Sequence, residues 1–109
     1  MGNFKKYFSL NEENKKYELT KTKKSGLYQI IALKDFGDVR AGDLGGFIES
    51  EKNLSQKDNC WVYENAKVSG KAQVSGNAMV SGEALVYENA KVYGNAQIDY
   101  HVHSENISQ

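Results

Sequence analysis

The chain has 109 residues, room for one domain, and its 14 Lys and Arg balance its 14 Asp and Glu. No apolar run is long enough to cross a bilayer, and the single Cys60 excludes an intramolecular disulfide. The balance hides an asymmetry: residues 1–34 carry eight Lys and three Glu, whereas residues 35–109 carry six Lys or Arg and eleven Asp or Glu. The basic leading segment is expected to dock on the acidic remainder or to be solvated. With Arg40 the sole Arg and no aromatics interleaved with the Lys, a nucleic-acid arm is disfavoured.

The start, Met1-Gly2-Asn3-Phe4-Lys5-Lys6, lacks the apolar stretch and cleavage site of a secretory signal and the Ser or Thr of a myristoylation motif. A cytoplasmic protein with no membrane contact is the expectation. Residues 1–15 are polar and mixed and read as a short strand or irregular arm. A hairpin follows: Tyr17-Glu18-Leu19-Thr20 alternates, Lys23-Lys24-Ser25-Gly26 is a turn cluster, and Leu27 to Leu33 is a strand apolar on both faces. It is the candidate N-terminal cap of what comes next, so residues 1–43 read as arm and cap. Between Asp35 and Phe47, Gly37, Gly42, Gly45 and Gly46 alternate with Asp35, Asp38 and Asp43. The spacing does not fit an EF-hand, and a connecting turn is expected with no metal.

From Val62 a strict period of six begins: Val62, Val68, Val74, Val80, Val86, Val92 and Ile98, with Ala66, Ala72, Ala78, Ala84, Ala90 and Ala96 four places after each Val. No helix has this period. It predicts short strands joined by tight corners and stacked coil on coil, a β-solenoid. The Val suits an inward position on a strand. The Ala suits a slot near the corner where a larger side chain would strike the next coil. Corners need a residue that tolerates φ > 0. Glu64 and Glu88 are followed by Asn65 and Asn89, and Lys71 and Glu83 are preceded by Gly70 and Gly82, so each corner keeps one such residue. Stepping back in sixes from Ala66 reaches Cys60, Leu54 and Ile48, which places an imperfect first coil at residues 44–61. Ile98–His103 is the expected last hexapeptide, and residues 104–109 read as a disordered tail.

The run Val68-Ser69-Gly70-Lys71-Ala72-Gln73 and its neighbours resemble the hexapeptide repeat of left-handed parallel β-helix proteins. The resemblance covers Val62–His103 well and Leu44–Trp61 loosely. It implies an all-β left-handed parallel β-helix over residues 44–103, about three coils with three hexapeptides to each, and a homotrimer. A solenoid interior of Val and Ala is thin, which also favours oligomerisation. The segment Gly42–Ser50 with its hexapeptides further resembles small stand-alone solenoid proteins carried by phages and prophages.

Stacking equivalent positions predicts three outward faces. One collects Trp61, Tyr63, Met79, Ser81, Gln97 and Asp99. The next collects Lys67, Ser69, Leu85, Tyr87, His103 and Glu105. The third collects Gln73, Ser75, Lys91 and Tyr93. Trp61, Tyr63, Met79, Leu85, Tyr87 and Tyr93 are the candidate binding or interface residues, for a trimer seam, the landing place of the hairpin, a host protein or a small ligand.

Many hexapeptide proteins resembling this one are acyltransferases that use an acyl-CoA donor and a His general base. The candidates here are His101 and His103, at the end of the repeat. No loop interrupts residues 62–103, and no C-terminal helix is evident. A zinc site of the three-His kind would lack its third His. Cys60 occupies an inward small slot and reads as a buried, inert thiol. The expectation is therefore a non-enzymatic binding module with no cofactor, and the alternative is a minimal trimeric acyltransferase.

Overall fold

A computed structural model describes residues 15–109. The predicted arm falls almost wholly on residues 1–14, outside the described residues. The fold is all-β. Two long strands, β1 (Tyr17–Lys24) and β2 (Leu27–Ala32), precede β3 (Leu44–Ile48) and a single 3-10 turn at Glu51–Asn53. Eight strands of the repeat, each two residues long except one, follow: β4 (Trp61–Val62), β5 (Lys67–Val68), β6 (Gln73–Val74), β7 (Met79–Val80), β8 (Leu85–Tyr87), β9 (Lys91–Val92), β10 (Gln97–Ile98) and β11 (Val102–His103), and β12 (Asn106–Ile107) ends the chain.

The strands stack into three parallel sheets, ordered β3-β5-β8-β11, β4-β7-β10 and β6-β9-β12. This is the expected β-solenoid of about three turns. Each coil hydrogen-bonds to the next: Lys67 N donates to Ala84 O and Ser69 N to Val86 O, both at 2.9 Å. The branched residues meet in columns, Val68 on Val86, Val62 on Val80 and Val74 on Val92. These residues and all six repeat Ala are sealed from solvent. Burial of the columns supplies the driving force, since strands this short have little stability alone.

The hairpin extends one of the three sheets. Ser25 and Gly26, at φ 57° and 80°, form its two-residue turn. β2 pairs antiparallel with β3, which in turn pairs parallel with β5. Residues 15–17 and Phe36 then cover the open end of the first coil, where Tyr17 and Trp61 pack edge-on at 6.1 Å and Phe36 and Trp61 at 5.2 Å. The Gly- and Asp-rich passage is a connecting turn. Asp35 Oδ1 accepts from Ala41 N and Asp43 Oδ2 from Arg40 N, both at 2.9 Å, so two of its carboxylates hold backbone amides.

Three expectations are corrected. Ile48 and Leu54 occupy the large inward position, opposite Val68 and Val74, and not the small slot. The corner after Leu54 is two residues longer than a hexapeptide allows, which shifts the phase before Val62. The small slot beneath Ala66 falls to Gly46, where a Cβ would lie 2.6 Å from Ala66 O and from Val62 Cγ1.

The tail is also ordered. The corner after Ile98 is two residues shorter, so Val102 lies against Val86 and β12 pairs with β9. Half-buried Ile107 closes the third column, and burial of that side chain repays the order. The solenoid thus runs to residue 109. Finally, in the six regular hexapeptides from Val62 to Gln97 the left-handed residue is the third: Glu64 and Glu88, at φ 57°, take it themselves, and Asn65 and Asn89 do not. Stacking overrides local preference, because Glu64 lies against the corner of Gly82 and Glu88 against that of Gly70, and each neighbour fixes the path of the chain.

Candidate functional site

Two grooves run along the solenoid, one on each of two adjoining faces. The larger, about 580 Å³, is floored by Lys67, Ser69, Leu85 and Tyr87 and overhung by Ser25, Gly26 and Leu27 of the hairpin turn, with Glu49 at its rim. Register places the floor: Lys67 pairs with Leu85, and Tyr87 pairs with His103. Leu27 is buried, while Leu85 and Tyr87 are half-buried. Glu49 Oε1 accepts from Gly70 N at 2.7 Å, which fixes the carboxylate. The groove therefore has an apolar wall and one group of each charge.

The smaller groove, about 400 Å³, holds Tyr63, Met79, Ser81, Gln97 and Asp99, with Asp38 reaching in from the connecting turn. The Tyr63 hydroxyl donates to Asp38 Oδ1 at 2.9 Å. Burial, and then the neighbouring Asp38 carboxylate, raise the Tyr63 pKa above its ordinary value.

The outward faces are present only in part: Trp61 is covered, the shortened corner after Ile98 sets His103 and not Glu105 on Tyr87, and the six candidate residues do not form one surface. Trp61 is 2% exposed and lies beneath Tyr17 and Phe36, so it is the landing place of the cap and not an outer patch. Tyr63 and Met79 line one groove, Leu85 and Tyr87 the other. Tyr93 stands on the third face, 41% exposed. Nothing in the sequence marks Glu49 for a groove, and Asp38 is visible there only as part of a connecting turn. The apolarity of the second hairpin strand on both faces was the one signal for Leu27.

The residues capable of chemistry are dispersed. His101 is exposed, immediately before β11. His103 stacks on Tyr87 at 5.2 Å, and its Nδ1 lies 3.1 Å from Glu88 Oε1, which also accepts from Ser104 Oγ at 3.0 Å. A carboxylate at Nδ1 orients an imidazole and leaves Nε2 to exchange a proton. Both partners are more than half exposed, so the contact is weakly held. Cys60 is fully buried, and burial pushes its thiol pKa up, which disfavours the thiolate. Among the described residues no group of three or more His, Cys, Asp or Glu is placed to hold a metal, and no helix is long and apolar enough to cross a membrane.

No protein-family model matches the chain. A protein of Escherichia coli (strain K12) named as the uncharacterized acetyltransferase YdcK is 43% identical over 65 residues, covering 57% of this chain and 20% of that protein. The chain thus spans a fifth of this relative's length.

Proposed function

We propose that this chain is a non-enzymatic β-solenoid binding module that works as a homotrimer and holds its ligand in the larger groove, against Leu27, Leu85 and Tyr87. The observation that carries the reading is how the groove is built. Two distant parts of the chain, the hairpin turn and one solenoid face, converge on an apolar wall flanked by Lys67 and Glu49. Its volume lies in the range of small-molecule sites. A compact ligand with an apolar body and a polar end is the chemistry it suits, and a neighbouring subunit would close its open side. Docking on a host protein, the phage-type role, would use the same wall.

Native mass spectrometry of the protein as purified tests this. A trimer carrying a small extra mass, lost in Leu85→Glu, supports the groove reading. A bare trimer that captures no specific protein through the same wall argues against it, and a monomer removes the subunit seam.

A second reading, a minimal acyltransferase with an acyl-CoA donor, is favoured by one contact, Glu88 to Nδ1 of His103, and by the name of the relative. In it, His103 would take the acceptor's proton. Acetyl-CoA would then raise the melting temperature by mass action, and His103→Ala would remove acetyl transfer. An unshifted melting curve at millimolar acetyl-CoA counts against it.

A further inference from the structure

One departure from the Ala rule of the small slots lies beside a buried amine. Six inward small slots hold Ala, all fully buried, whereas the slot of the first coil on the Trp61 face holds Cys60. At that slot the Lys16 Nζ lies 3.4 Å from Cys60 Sγ, across 44 residues of sequence. Lys16 is 1% exposed and Cys60 0%. The amine is fixed by three backbone carbonyls, those of Lys57 at 3.2 Å, Asp58 at 3.1 Å and Cys60 at 2.8 Å, and sits 4.9 Å from the centre of the Phe36 ring. Three of these groups come from the enlarged corner. The two extra residues there make room for the side chain that the hairpin segment brings.

Neither group can turn away from the other. Burial lowers the Lys16 pKa and raises that of Cys60, so each is moved toward its neutral form. A space-filling role alone would be met by Ala, as in the coils above. A charged or hydrogen-bonding role for Lys16 is already met by the carbonyls and does not need sulfur.

We propose that Lys16 and Cys60 are a covalent modification site, at which a peroxide inserts one oxygen to give an Nζ–O–Sγ cross-link that locks the hairpin segment onto the first coil. The balance needs two molecules of hydrogen peroxide. The first oxidises the thiol once the adjacent neutral Lys16 amine has taken its proton, the thiolate displacing hydroxide from the peroxide, so that S–H becomes S–OH with release of one water. The second removes one hydrogen from the amine and one from the S–OH oxygen as the N–O bond forms, releasing two waters. Sulfur and nitrogen each give up an electron pair, and both peroxides are reduced to water. The proton carried by the ammonium form leaves to solvent beforehand. Both groups are shielded, so a small oxidant is required, and it enters when residues 15–17 open transiently.

This proposal does not depend on the binding reading. The test is intact and peptide mass spectrometry of the wild-type protein after hydrogen peroxide. The expected result is a gain of about 14 Da, one oxygen in and two hydrogens out. Trypsin then fails to cleave after Lys16, the peptides holding Lys16 and Cys60 run as one, and dithiothreitol reverses both changes. Cys60→Ala and Lys16→Met, each checked for native circular dichroism, lose the gain. Two results would overturn the proposal. One is stepwise gains of about 16 or 32 Da on Cys60 with Lys16 still cleaved. The other is an unmodified Lys16 and Cys60 at a peroxide dose that fully oxidises Met79.

Discussion

Trp61→Ala tests where the hairpin segment gets its hold. The indole is 2% exposed and makes edge-to-face contacts with Tyr17 and Phe36. Truncating a buried Trp costs about 3–5 kcal/mol, and the two aromatic contacts, each about 0.5–1.5 kcal/mol beyond burial, put this case near the upper end. A chain of this size has roughly 5–15 kcal/mol in all. The variant should therefore lose a third or more of its stability, with a fall in melting temperature of roughly 20 °C. Because coils contact only their neighbours, the loss should begin at the hairpin end and leave the upper coils folded. Urea unfolding by circular dichroism, with hydrogen exchange by segment, reads both. The contacts are within one chain, so the drop should not depend on protein concentration. A loss below about 1 kcal/mol, or one that vanishes at high protein concentration, would refute the assignment of Trp61 to the cap.

Gly46→Ala should cost about 1–3 kcal/mol in urea, since its Cβ would meet the backbone of Ala66 at 2.6 Å; a neutral effect would mean that the first coil is looser than its register implies. Glu88→Gly should stabilise by about 0.5–1 kcal/mol, because it relieves a left-handed backbone at φ 57° and sacrifices an exposed contact to His103. A lower melting temperature would show that the exposed contact matters more than the backbone. Alkaline pH should unfold the protein cooperatively. The Tyr17 phenol is raised above its ordinary 10.0 by burial, and next by Glu51, and its hydroxyl donates to Leu54 O at 2.5 Å. A raised folded pKa contributes stability fully present below pH 10.0 and lost as pH climbs toward the folded value. Tyr17→Phe should flatten that fall above pH 10.0 while lowering stability near neutrality by about 1 kcal/mol; an unchanged alkaline slope would exclude Tyr17 as its source.

The coil itself was legible in the residues. Val and Ala at a fixed spacing of six, from Val62 to Ile98, imply the stacked coil, the same spacing carried back from Ala66 gives the inward place of Cys60, and the resemblance to hexapeptide proteins implies its three faces. Where the period fails, only packing could decide. The phase of Ile48 and Leu54 depends on two added residues in a corner that bulges toward Lys16, and the order of residues 104–109 depends on a corner shortened by two. Glu64 and Glu88 adopt a backbone their own preferences oppose, because the corners stacked on them, at Gly82 and Gly70, enforce it. The same holds for function. A periodic sequence names which side chains point outward, but the hairpin decides which of them are covered. It buries Trp61, hangs Leu27 over Leu85 and Tyr87, and carries Lys16 to Cys60. Those contacts join segments far apart in the chain, and no local pattern records them.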